Sequence, residues 1–136
     1  MMAAMTKGRR VIERGGESVA HPLAAGVKIF SGALVVLDGG YLKPGRTAVG
    51  LKAVGVSTDD ADNSGGAAGA TSVTVCRRPA FQFANFAADL VGRPHIGGTA
   101  YIVDDQTVAA TDGAGTRSAA GRIIDVDAAG VWIEFV

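Results

Sequence analysis

Gly32-Ala33-Leu34-Val35-Val36-Leu37-Asp38 has a near copy at Gly98-Thr99-Ala100-Tyr101-Ile102-Val103-Asp104, and this echo decides the fold. Each copy is a short apolar run that ends on an aspartate and leads into a turn. Two further echoes follow in the same order. Residues 48–56 (AVGLKAVGV) read like residues 119–126 (AAGRIIDV), and residues 67–75 (AAGATSVTV) read like residues 128–135 (AAGVWIEF). Ordered self-similarity marks a duplicated supersecondary unit. Each unit reads as a small β-meander, so the pair predicts one closed or sandwiched β-domain.

The remaining punctuation agrees. Val27-Lys28-Ile29-Phe30 is strand-like and is broken from the next run by Ser31-Gly32. Asp38-Gly39-Gly40 predicts a hairpin, because paired glycines supply the positive φ of a tight turn. Pro44-Gly45 predicts another turn, and residues 49–56 a glycine-interrupted strand, bulged at Gly50 or Gly55. Residues 57–70 (STDDADNSGGAAGA) form the longest loop candidate. Val73 and Val75 alternate onto one strand face, Pro79 breaks that run, and Phe81 and Phe83 share the next face. One helical turn is expected near residues 86–90. Residues 99–103, 108–110, 121–126 and 131–135 read as the closing strands. The expectation is an all-β fold: a small β-barrel or sandwich of two similar meanders.

Residues 1–20 differ from this core. They carry Lys7, Arg9, Arg10 and Arg14 against Glu13 and Glu17, and Gly15-Gly16 interrupts them. They read as an extended N-terminal arm ahead of a single β-domain at 21–136. The run Arg10-Val11-Ile12-Glu13 could pair as a strand. The formal net charge is zero, so no overall basic field draws nucleic acid. Aromatics make up only 6% of the residues and glycine numbers 20, which predicts short strands around a thin core. Cys76 is the single cysteine, so no intramolecular disulfide can form. No apolar run approaches the ~18 residues of a membrane span. The N-terminus lacks the apolar segment of a signal peptide, so synthesis in the cytoplasm is expected.

Sites of chemistry are weak throughout. Asp60, Asp62, Ser64 and Gly65 match the opening of a calcium loop, but Thr71 stands where a bidentate glutamate is needed. A solvated acidic turn is the simpler reading. Cys76 and His95, oriented by Asn85 or an aspartate, are the one conceivable nucleophile and base, yet Cys76 sits inside an alternating strand. His21, His95 and Cys76 are too scattered to predict a transition-metal site. Residues 113–118 (GAGTRS) are glycine-rich but lack the lysine of a phosphate loop. Arg77-Arg78 beside Phe81 and Phe83 could form a nucleic-acid stacking surface, but alternation assigns both rings to the core. No catalytic residue, metal or cofactor is expected. Trp132 is the better lead. It alternates against Val131, Ile133 and Phe135, so it points outward, where tryptophan marks protein interfaces.

The chain resembles the head decoration, or capsid cement, proteins of phages and prophages. The resemblance runs from about Pro22 onward. It rests on residues 24–38 (AAGVKIFSGALVVLD), 53–75 (AVGVSTDDADNSGGAAGATSVTV), 81–85 (FQFAN), 97–109 (GGTAYIVDDQTVA) and 118–132 (SAAGRIIDVDAAGVW). It implies a β-rich subunit on the outside of an expanded head, bound to the major capsid protein and stabilising the DNA-filled shell. It also implies self-association as a homotrimer or another symmetric oligomer, with no direct contact to nucleic acid or membrane. Arg9, Arg10, Val11, Ile12 and Trp132 are the candidate partner-binding residues. The alternatives are another virion component, such as a head-fibre base or tail protein, and a small ligand-binding β-barrel.

Overall fold

The structure is a computed structural model in which residues 4–8 and 17–135 are described. The strands are β1 (Ser18–Pro22), β2 (Lys28–Ile29), β3 (Leu34–Asp38), β4 (Tyr41–Pro44), β5 (Lys52–Ser57) and β6 (Ala61–Asp62) in the first half. They continue with β7 (Ser72–Cys76), β8 (Phe81–Asn85), β9 (Thr99–Ile102), β10 (Thr107–Ala109), β11 (Ala119–Asp127) and β12 (Gly130–Glu134). Among the described residues helix is limited to the 3-10 turns Ala87–Asp89 and Arg93–His95. The fold is all-β, as the turn pattern predicts. Strand β1 begins at Ser18, inside the range read as the arm.

The duplication is real and its register can be read from the ladders. The first half forms a sheet in the order β1-β7-β5-β3-β4, and the second closes a barrel in the order β8-β12-β11-β9-β10. These are the same order, strand for strand. The turn before each meander repeats bond for bond. Gly32 donates to the Ser57 carbonyl (2.9 Å) and Ala33 to the Phe30 carbonyl (3.1 Å). In the second half Gly97 donates to Ile123 (2.8 Å) and Gly98 to His95 (2.9 Å). Phe30 thus corresponds to His95, and Gly32 to Gly97. Letter matching sets Gly32 beside Gly98 and Gly50 beside Gly121, whereas the ladders pair Gly32 with Gly97 and Gly55 with Gly121.

Gly55 and Gly121 follow the same bulge. The β3–β5 register slips between Val35↔Gly55 and Val36↔Ala53, and the β9–β11 register slips between Ala100↔Gly121 and Tyr101↔Ala119. A Cβ on Gly55 would lie 2.4 Å from the Cys76 carbonyl oxygen, and one on Gly121 would lie 2.6 Å from that of Glu134. Both glycines are required by a backbone crossing directly over them.

Strand β3 explains why its sequence does not alternate. Leu34, Val35 and Val36 are all fully buried. Leu34 and Val36 join the larger core of Phe83, Ile102, Ile123, Ile133 and Phe135, while Val35 joins Leu23, Ile29, Leu42 and Val75. A strand covered on both faces reads as a continuous apolar run. Phe135 centres the larger core, edge-on to Phe83 at 6.0 Å and tilted against Phe81 at 6.2 Å. Polar links hold the halves together. Leu34 donates to the Asp105 carbonyl (2.8 Å), and the Thr47 hydroxyl donates to Val103 (2.8 Å). The buried Ser118 hydroxyl donates to Ala48 (2.7 Å) and accepts from the Leu51 amide (3.0 Å).

The halves differ in closure. Strands β8 and β10 pair in parallel, with Ala84 donating to Gln106 (2.8 Å) and Phe86 to Val108 (3.0 Å). In the first half Ala24 donates to Leu42 (3.0 Å), beside the parallel bridge Leu23↔Leu42. This matches the Phe86 bond. The equivalent of Ala84 is Pro22, which has no N–H to donate. The seam of the first half therefore lacks the ladder bond that Ala84 makes in the closed barrel of the second.

Gly121→Ala should destabilise the protein by about 2–3 kcal/mol, because the new methyl overlaps backbone that cannot move aside. Gly55→Ala should cost more, since its φ of 147 adds backbone strain. Gly65→Ala, with open space around it, is the control and should be neutral in the same urea titration. Equal midpoints for all three would refute the bulge account. Pro22→Ala should create an amide that bonds to the carbonyl of residue 40. Hydrogen exchange at that amide should be slowed at least tenfold relative to a free peptide, and free-peptide exchange would show that proline is not what leaves the seam short.

Candidate interaction surface

Trp132 lies on the outer wall of the second barrel, paired across the ladders with Gln82 and Asp125. It is half-buried, and its indole N–H donates to the Asp127 carboxylate at 3.0 Å. Asp127 also accepts the Ala129 and Gly130 amides, closing the β11–β12 hairpin. The indole bond, followed by the Ala129 amide, holds the Asp127 carboxyl below the usual carboxylate range. The outward direction matches the alternation, while the polar edge of the ring is engaged within its own hairpin. Arg9, Arg10, Val11 and Ile12 lie outside the described residues.

The other sequence candidates are engaged locally and not with one another. The Cys76 thiol donates to the Arg78 carbonyl (2.8 Å). Asn85 clamps Val91 through both ends of its amide, at 2.9 and 2.8 Å. The Nδ1 of His95 accepts the Gly92 amide (2.8 Å). In the calcium-like loop, Asp60 accepts the Ser31 amide (2.8 Å) and Asp62 accepts that of Ser64 (2.9 Å). Among the described residues no group of three His, Cys, Asp or Glu side chains is placed to hold a metal ion. Phe83 is buried and Phe81 packs on Phe135, so the rings beside Arg77-Arg78 belong to the core.

Three polar devices escape a reading of the sequence. Asn63 is buried and organises the long loop, donating to the carbonyls of Ala24 (2.9 Å) and Ala67 (3.0 Å). Ser118 joins the two halves. Asp89, Thr111 and Arg117 form a third cluster. The Thr111 hydroxyl donates to Asp89 at 2.5 Å, and Arg117 Nη1 donates to the same oxygen at 2.9 Å and to the Thr111 carbonyl at 3.0 Å. The guanidinium lies 5.3 Å from the Phe86 ring centroid. The partners sit 22 and 28 residues from Asp89, and no local pattern links them. The Thr111 hydroxyl first, and the Arg117 bond and charge after it, hold the Asp89 carboxyl below the usual range despite partial burial.

The apolar surface offers contact features. Phe30, Val49 and Leu90 stand more than half exposed, at 56%, 64% and 59%. Contiguous apolar patches mark interaction surfaces and single exposed side chains do not; of these three, Phe30 lines a hollow. One open hollow of about 580 Å³ is lined by Glu17, Arg78, Pro79, Ile124 and Glu134, beside the start of β1. A second, of about 330 Å³, lies beside Phe30 and Asp105. The first strand adds an open edge. Arg77 donates to Glu17 and Leu23 to Thr71, so the odd-numbered residues of β1 face β7. Ser18 and Ala20 therefore turn their main-chain groups away from it. Strand β4 starts at Tyr41, level with Pro22, so it does not cover them.

Comparison of the chain with protein-family models, curated proteins and solved structures finds no match.

Asp89 contributes stability that is present above its unfolded pKa of about 3.9 and is lost as pH falls through its lower folded value. Asp89→Asn should therefore flatten the acid limb of a stability–pH profile below about pH 4. Arg117→Ala should cost about 2 kcal/mol at neutral pH, as removal of charge-assisted bonds does. An unchanged acid limb in the Asn variant would remove Asp89 from the account.

Proposed function

We propose that this protein is a capsid decoration, or cement, protein that binds the outside of an assembled viral shell and stabilises the DNA-filled head. The observation that carries the reading is the β1 edge at Ser18 and Ala20, which no strand covers among the described residues and which continues a basic N-terminal sequence of opposite character to the body. Such an edge can take a strand from a neighbour, with main-chain hydrogen bonds giving affinity independent of sequence. The resemblance of residues 22–132 to head decoration proteins supports the same role. The exposed Phe30, Val49 and Leu90 add apolar contact area around a rigid duplicated body. Many weak contacts repeated over a symmetric shell combine into tight attachment. A ligand that binds only the assembled shell shifts the equilibrium toward assembly.

The test is co-sedimentation with expanded heads assembled without the protein, and separately with tails. Binding to heads at a fixed copy number is expected, together with release of DNA at a higher temperature than from bare heads. Deleting residues 1–16 should weaken binding at least tenfold while the body stays folded. Binding to tails alone would move the protein to another part of the virion. Heads that release DNA at the same temperature with and without it would end the cement reading.

A further inference from the structure

We propose that the hollow beside Phe30 is the docking site for the basic N-terminal arm of a second copy of this chain. The hollow, about 330 Å³, lies between the turn before β3 and the β9–β10 hairpin, with Phe30, Gly32, Ala33, Asp105 and Gln106 among its walls. The Phe30 ring is 56% exposed. Its counterpart in the second half is His95, which forms the same turn while its ring is engaged by the Gly92 amide. The fold therefore does not need an aromatic at this position, and the exposed ring forms one wall of the hollow. The ring already attracts a cation, for Lys28 Nζ lies 5.5 Å from its centroid.

Asp105 supplies the charge. Among the described residues its carboxylate has no cationic partner. Burial first, and the neighbouring Asp104 second, push its carboxyl above the usual range. An arriving cation would relieve both effects. Asp60 adds a second carboxylate next to the wall residue Ser31, whose amide it accepts at 2.8 Å. The complementary charge lies in this chain's own first 16 residues, which hold Lys7, Arg9, Arg10 and Arg14 with Glu13 as their one acidic residue, so the rest of the chain is net acidic. Arginine fits both walls, since its planar guanidinium stacks on an aromatic face and bonds a carboxylate through its edge.

The register assigns the arm to a neighbour. Ser18, Cys76, Val56 and Leu34 form one row across the sheet. Strands β1 and β3 run in opposite directions, so Phe30 lies beyond one side of this row and the chain before Ser18 leaves from the other. The described start of β1, Glu17–Ser18, therefore heads away from the hollow of its own molecule, which favours the next molecule as the partner. The contact is thus heterologous, and repetition generates a ring when the rotation closes. This inference does not rest on the capsid reading.

The test is sedimentation equilibrium of the free full-length protein with two defective partners. Arg9→Glu/Arg10→Glu disables the arm, and Asp105→Lys disables the hollow. Phe30→Ser provides a second hollow variant on an exposed side chain. Wild type should self-associate, more weakly as salt rises, and each variant alone should associate at least tenfold more weakly. A one-to-one mixture of the arm variant and the Asp105→Lys variant should recover association into heterodimers, because one intact arm then meets one intact hollow. Wild type that stays monomeric at all concentrations would overturn the proposal. So would variants that associate like wild type, or a mixture without recovery, the result expected if each arm folds onto its own body.

Discussion

Burial of β3 on both faces is the constraint from which the rest follows. Leu34 and Val36 complete the core of the barrel, and Val35 completes that of the first-half sheet. Neither half has a finished core without this strand. The alternation that usually leaves one face wet is suspended for three residues, and two meanders become one cooperative body. The hydrogen bonds across the junction, from Leu34 to Asp105 and from Ser118 to Ala48 and Leu51, satisfy polar groups that this packing encloses.

The duplicated architecture was legible in the sequence because turns and glycines are local signals. Asp38-Gly39-Gly40, the alternation of Val73 with Val75 and the shared face of Phe81 and Phe83 each report on their own few residues. The register was not legible in the same way. Gly55 and Gly121 correspond because each lies beneath a crossing carbonyl, and that crossing comes from a distant strand. Small residues supply many equally good letter matches, so Gly50 aligns with Gly121 as readily as the true partner does. The strand expected from residue 49 starts at Lys52, and Val49 is left exposed.

The same division applies to surfaces. Alternation placed Trp132 on the outer wall, but the bond from its indole to Asp127 depends on hairpin geometry. Asn63, Ser118 and the Asp89–Thr111–Arg117 cluster were invisible because each joins segments that carry no common pattern. Comparison between the halves reveals what a single copy hides. His95 shows that the turn at Phe30 could do without an aromatic, and Ala84 shows what Pro22 removes.

Pro22 also limits how much any neighbour can gain at this edge. A strand laid along β1 finds main-chain partners at Ser18 and Ala20, and two residues later it meets Pro22, which cannot donate and which the start of β4 already flanks. Such pairing is capped in length, so it stays reversible and cannot template an indefinite sheet. A subunit crowded among many identical copies can then keep an adhesive edge without risking fibrillar growth.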